Sequence, residues 1–190
     1  MVALSYIIYM YSKNHSMTHP LSQFVYCPEC GSKTFVECNE KAKRCTTCGF
    51  VYYFNPSSAV ACFIRNAEGE LLLVRRAKDP EKGTLDLPGG FVDMYETAEE
   101  AASREVKEET GLSIANLRYL FSIPNIYVYS GLKIHTLDMF FECHVNDFNE
   151  AHAEDDAAEI IVLRKEELNA DEFGLTSIKA GVEKYKSMDF

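Results

Sequence analysis

The sequence predicts a mixed α/β layer fold with a small cysteine-rich module in front of it. Three observations carry this. Apolar runs with period-2 spacing alternate with two segments of helical period, which is the pattern of a layered α/β domain. Two Cys-x-x-Cys-Gly pairs stand close together near the N-terminus. The length of 190 residues suits one main domain plus an appendage, and 47% hydrophobic content is enough for a real core.

We divide the chain into an N-terminal extension (residues 1–22), a ribbon (23–54) and a main domain (55–190). Residues 2–11 are apolar and aromatic, but neither a basic leader nor a small-residue cleavage site accompanies them. Met17 offers an alternative start, which would make residues 1–16 an upstream extension; a short added helix or a dimer contact is the competing reading. No apolar run reaches the roughly 18–20 residues of a membrane span, so no membrane partner is expected.

In the ribbon, Cys27-Pro28-Glu29-Cys30-Gly31 and Cys45-Thr46-Thr47-Cys48-Gly49 are separated by fourteen residues. Four thiolates so spaced suit a closed, tetrahedral, structural zinc site, with two disulfides or redox pairs as the alternative. The glycine after each pair permits a tight turn. Cys38 is a bystander; Cys62 and Cys143 sit in apolar runs as buried thiols. Thiols used this way point to a reducing compartment, the cytoplasm. Lys33, Lys41, Lys43 and Arg44 are offset by Glu29, Glu37 and Glu40, and the chain carries 19 basic and 29 acidic side chains. That balance argues against a nucleic-acid footprint. A stabilising or homodimer-forming module is favoured, because metal can supply the folding energy that a thin core lacks.

The main domain opens with strands over 59–64 and 71–74, joined by the turn Asn66-Ala67-Glu68-Gly69. Arg75 and Arg76 end the second strand. They could reach a substrate phosphate or acidic side chains, or be exposed strand-end charges. Residues 117–123 form a strand, 126–129 and 133–145 a hairpin about Ser130-Gly131, and 160–163 a short core strand. Leu175, Ile178, Val182 and Tyr185 make a helical stripe that covers the sheet.

The remaining helix carries the chemistry. Thr97 and Glu100 form a capping box, Ala98, Ala101 and Ala102 are strong helix formers, and Gly111 suits the left-handed stop. At about 100° per residue, Ala98, Ala102 and Val106 face inward. Glu109 falls in that stripe, Glu105 beside it and Glu108 at its margin. A solvated, salt-bridged face explains an Arg104–Glu108 pair but not an inward Glu109, because a buried carboxylate needs a partner or a metal. Three carboxylates at i, i+3 and i+4 suit Mg²⁺, which keeps waters and so leaves room for phosphate. Ahead of them, Leu87-Pro88-Gly89-Gly90 is a turn whose glycines allow backbone N–H groups close to a ligand, and Glu96 could brace the loop through Arg104.

Residues 90–112 resemble the Nudix box, matching it at Gly90, Glu96, Arg104, Glu105, Val106, Glu108, Glu109, Gly111 and Leu112. Nine positions over 23 residues make a specific motif. The resemblance implies an α/β/α sandwich with a mixed sheet. It implies Mg²⁺ or Mn²⁺ held by Glu105, Glu108 and Glu109, and hydrolysis of a pyrophosphate bond by a metal-activated water. Gly90 would shape the substrate loop with Gly89, while Glu96 and Arg104 hold the box. The Trp common before Pro-Gly-Gly in the family is Leu85 here, which we read as a packing change.

A zinc ribbon joined to such a domain is similar to the NADH pyrophosphatases. Their Ser-Gln-Pro-Trp-Pro-Phe-Pro signature is absent, leaving ADP-ribose or another ADP-linked small molecule open beside NADH. The alternative function is a Nudix-like ligand sensor whose ribbon meets nucleic acid or protein; the intact carboxylates weigh against it. An RNA-end-processing Nudix enzyme is a further alternative. An extra ligand or base could come from the acidic loop 150–159, through Glu154, Asp155, Asp156 or Glu159, although a solvated run is the simpler reading. His144 and His152 are read as ordinary residues. Tyr52, Tyr53, Phe54, Tyr119, Phe121, Tyr127 and Tyr129 could stack on a base or fill the core.

Overall fold

A computed structural model describes residues 18–189. The apolar segment 2–11 and Met17 lie outside the described residues. The chain divides into two compact units, one ending at Asn55 and the other beginning at Pro56.

The smaller unit is an antiparallel sheet of β1 (Phe35–Asn39), β2 (Ala42–Cys45) and β3 (Val51–Tyr53). Its core is thin: Cys27, Phe35 and Cys45 are buried, with Phe50 packed against them. Gly31 and Gly49 take φ of +70° and +79°, which closes each knuckle through an N–H donated to the carbonyl of Cys27 or Cys45. The unit also gathers residues before position 23. Leu21 is buried, and the His19 ring bonds the Asn39 carbonyl. Lys43 is buried too and donates to the Phe24 carbonyl at 2.9 Å, so its charge is turned inward.

The larger unit holds β4 (Ser57–Arg65), β5 (Glu70–Arg76), β6 (Leu85–Asp86), β7 (Asn116–Tyr129), β8 (Leu132–His144) and β9 (Ala157–Arg164). The order is β6-β5-β4-β8-β7, with β9 also on β5. β4 and β8 run parallel and the other pairs antiparallel, so the sheet is mixed. Alternation along β4 and β5 sets the layers. Ala61, Phe63, Leu71 and Leu73 face helix α2 (Thr176–Lys186), while Val60, Cys62, Ile64, Leu72 and Val74 face helix α1 (Ala98–Thr110). The result is the α/β/α sandwich. Tyr185 stacks on Phe63 with centroids 3.9 Å apart, and a Cβ on Gly181 would meet the Phe140 ring at 2.3 Å. Burying each such side chain stabilises the fold by about 1.5–3 kcal/mol. Among the described residues no helix is long and apolar enough to cross a membrane.

Two elements differ from the sequence reading. Residues 117–123 and 126–129 form one strand, β7, that runs straight through Pro124. Because β7 is an edge strand, the missing proline N–H costs no ladder bond. The acidic segment is a loop only to Asp156; Ala157 already belongs to β9, which pairs along the whole of β5.

β4 and β5 pair only at Ile64–Leu72 and Arg65–Leu71. Further along β4, the turn 87–92 takes up the ladder instead. The N–H groups of Val60 and Cys62 donate to the carbonyls of Gly90 and Pro88, and the N–H of Val92 donates to Ser58. The site is built around this turn.

Candidate active site

Helix α1 starts as its sequence dictates. The Glu100 N–H donates to Thr97 Oγ1 and the Thr97 N–H to the Glu100 carboxylate. It stops at Gly111, at φ +73°. Between these ends, Ala101, Ala102, Val106 and Glu109 are buried. Glu109 thus lies inward with the alanines and accepts the Gly89 N–H at 3.1 Å. Burial, with Asp86, Glu105 and Asp156 nearby, pushes its pKa up to about 9.

Arg104 is the hub on the outer side. It grips Glu96 with two parallel bonds of 2.8 and 2.9 Å, and also donates to Glu105 at 2.8 Å, Glu108 at 3.0 Å and the Phe91 carbonyl at 3.1 Å. Its guanidinium and the Asp93 N–H hold the Glu96 carboxyl down at about 2. Burial raises the Glu105 pKa against the pull of Arg104. Glu105 and Glu108 therefore meet on Arg104 while Glu109 bonds to the turn. Among the described residues the four cysteines are the one group of three or more such side chains whose ligand atoms all lie within 4.8 Å of one another.

The two glycines of the turn face different neighbours. A Cβ on Gly89, at φ +156°, would lie 2.1 Å from the Val60 carbonyl oxygen. One on Gly90 would lie 2.5 Å from Glu105 Oε1.

The turn borders a cavity lined also by Phe91, Glu109 and Asp156, by Arg76 and Asp86, and by Asn125, Tyr127, Thr136 and Asp138. Arg76 lines it while ion-paired to Asp86. Arg75 does not: it points the other way along the strand and pairs with Glu159 at 2.8 Å. Of the loop carboxylates only Asp156 lines the cavity. Asp155 and Asp156 hold Lys78, and Glu154 bonds His152 at 2.9 Å. The loop docks on α1 through N–H groups of His152 and Glu154 donated to Thr110 and Glu109. Among the aromatics, Tyr127 lines the cavity edge-on to Phe91, with centroids 6.0 Å apart. Phe121 is core, stacked on Phe140, and Tyr119 packs on Phe141.

Sequence reasoning passed over Asp86, Thr136 and Asp138, all buried and all lining the cavity together with Asn125. One signal was available. In the run Thr136-Leu137-Asp138-Met139-Phe140, period 2 places an acid on the face of Phe140.

In the smaller unit the sulfurs of Cys27 and Cys48, and of Cys30 and Cys45, are 3.7 Å apart. A tetrahedron with metal–sulfur bonds of about 2.3 Å has edges near 3.8 Å. The cluster has the size to hold one ion.

The model of the NUDIX domain family matches residues 55–181. The chain belongs to the NUDIX family. The chain is 38% identical over 115 residues to an NAD-capped RNA hydrolase NudC of Haemophilus influenzae, covering 60% of this chain and 43% of that protein. It is 31% identical over 113 residues to the NudC of Vibrio atlanticus, covering 60% and 41%. It therefore spans less than half the length of these relatives. Among solved structures, a NUDIX hydrolase from Nitrosomonas europaea shares the fold with a TM-score of 0.65 at 22% identity, covering 85% of this chain and 89% of that one.

Proposed function

We propose that this protein is a metal-dependent hydrolase that cleaves the pyrophosphate bond of a nucleoside diphosphate linked to another moiety, an ADP-linked small molecule such as ADP-ribose or a nicotinamide dinucleotide. The charge of the cavity carries this reading. Its lining holds four carboxyl groups, from Asp86, Glu109, Asp138 and Asp156, and one guanidinium, from Arg76. A diphosphate would be repelled there unless divalent cations came with it. The donors are hard oxygens, which fit Mg²⁺ or Mn²⁺.

Glu105, Glu108 and Glu109 would hold the metal. When bound, it neutralises pyrophosphate charge and lowers the pKa of an attacking water. Arg104 would hold Glu105 and Glu108 beside the Glu96 brace. Gly89 and Gly90 bring backbone close enough to leave space for phosphate. Asp156, the loop carboxylate that lines the cavity, would take the proton from water. Arg76, which lines the cavity, would reach the substrate, and Arg75, paired with Glu159, is not assigned to it. In the ribbon, Cys27, Cys30, Cys45 and Cys48 would hold a structural Zn²⁺.

The named relatives act on NAD-capped RNA, which stands against the expectation from net charge that nucleic acid is not a partner. The two fit if the dinucleotide end is what enters the cavity. The test is product release from NADH, NAD⁺, ADP-ribose and NAD-capped RNA, with Mg²⁺ or Mn²⁺, by the protein and by Glu109→Gln. Turnover that needs the cation and is lost in the variant supports the reading; turnover unchanged in Glu109→Gln removes the proposed ligand set.

A further inference from the structure

The loop that carries Asp156 is fastened to the end of helix α1, and His152 sits at the fastening. The last carbonyls of a helix have no partner within it. Two of them are taken up by the loop: the N–H of His152 donates to the Thr110 carbonyl and the N–H of Glu154 to the Glu109 carbonyl, each at 3.1 Å. Beside these bonds the His152 ring lies against Gly111. A Cβ there would stand 2.3 Å from the ring Cε1 and 2.7 Å from Nδ1. Gly111 is therefore glycine for two reasons, the left-handed stop and the ring seated on it.

The ring is held at both nitrogens. Nδ1 donates to the Glu150 carbonyl at 2.8 Å and Nε2 to the Glu154 carboxylate at 2.9 Å. A carbonyl and a carboxylate only accept, so each nitrogen carries a proton. The Glu150 carbonyl, with Glu154 after it, accordingly raises the His152 pKa above its ordinary value. A cation here also faces the negative end of the helix dipole.

What the ring holds is a turn. The Ala157 N–H donates to the Glu154 carbonyl at 2.9 Å, which puts Asp155 and Asp156 at the corner. Asp155 takes φ +48°, left-handed backbone that surrounding contacts must maintain. From the β5 side, the Ala77 N–H donates to the Asp156 carbonyl at 2.8 Å and Lys78 pairs with the Asp156 carboxylate. From the helix side the turn is held at Glu154, by backbone to Glu109 and by side chain to His152. Asp156 and Glu109 both line the cavity, so this fastening sets one against the other.

We infer that His152 is a positioning residue of this site: seated on Gly111, it fixes the Glu154–Ala157 turn to the end of α1 and so sets Asp156 against Glu109. His152 is thus more than the ordinary residue its sequence surroundings suggest. The inference rests on the proposed role of Asp156 and names what holds that carboxylate in place. A displacement of about 1 Å in a reacting group can cost about 100-fold in rate, so a modest loosening of the turn is enough to matter.

The experiment has two arms, both on the intact protein. The first is amide hydrogen exchange without substrate. Exchange at Glu154 and Ala157 is expected to be at least about tenfold faster in His152→Ala than in the parent, with the amides of α2 unchanged. The second is hydrolysis of ADP-ribose and NADH with Mg²⁺. His152→Ala should lower kcat about 100-fold with KM within about threefold of the parent. His152→Gln, which keeps a donor for Glu154, should return to within about tenfold of the parent. Because His152 acts through Asp156, the double variant of His152→Ala with Asp156→Asn should be within about threefold of Asp156→Asn alone. Unchanged exchange, or losses that multiply in the double variant, would overturn the inference. Parental turnover by Asp156→Asn would remove the base assignment and the inference with it. No turnover by the parent would sink the proposed substrate, and the exchange arm would still decide whether His152 fastens the turn.

Discussion

The N–H of Gly89 donates to the carboxylate of Glu109 at 3.1 Å, tying the glycine turn to the inward face of helix α1. That bond is the link between the strand β4, whose edge the turn occupies, and the residue most displaced from ordinary carboxyl chemistry.

Glu109 should behave as a group that costs stability in the metal-free domain. Its folded pKa of about 9 lies above the ordinary 4.5. The stability associated with its proton is therefore complete below pH 4.5 and is lost as pH rises toward 9. Without added Mg²⁺ or Mn²⁺, Glu109→Gln should unfold at a higher temperature than the parent at pH 8, by a margin of order 2 kcal/mol, with the gap closing near pH 5. Thermal melts at both pH values check this; equal melts at pH 8 would contradict the burial argument.

Glu96 has the opposite sign. Arg104 depresses its pKa from 4.5 to about 2. The contribution is present above pH 4.5 and disappears as pH falls through 2. Denaturant titrations across that window should show a slope that is reduced in Arg104→Met and in Glu96→Gln, and the double variant should lose little more than either single one.

The two turn glycines should fail differently. Gly89→Ala drives a Cβ into backbone at Val60 and should cost several kcal/mol, the range of exceptional substitutions. Gly90→Ala meets only the movable end of Glu105. It should stay folded, shift the melting temperature by a few degrees at most, and lower turnover about 100-fold by displacing Glu105 from Arg104. Paired melting and rate measurements separate the two.

In the smaller unit, Cys45→Ser should remove the metal and with it the three-stranded sheet, since Cys27, Phe35 and Cys45 are its only fully buried apolar cluster among the described residues. One zinc per chain by elemental analysis, absent in the variant, is the expected result. Amide protection in residues 57–186 should be retained.

Much of this was legible beforehand because it is local. The capping box at Thr97, the stop at Gly111 and the inward place of Glu109 follow from helical spacing alone. The Arg104–Glu96 brace and the cysteine knuckles follow from short sequence motifs in the same local way. What escaped was set by pairing between distant segments. Pro124 continues a strand because β7 lies at the sheet edge, which no local pattern reveals. Arg75 and Arg76 are neighbours in sequence, and only the partners across β5 decide that one meets Glu159 and the other enters the cavity. Asp86 and Asp138 were passed over because isolated acids in apolar runs carry no motif.

The most direct test of the central claim is the rate of pyrophosphate cleavage of ADP-ribose and NADH as a function of Mg²⁺ and Mn²⁺ concentration, for the parent and for Glu109→Gln. The account predicts no measurable release without cation, saturable release with it, and a loss of at least about 1,000-fold in the variant. Cation-independent cleavage, or a variant within tenfold of the parent, would contradict it.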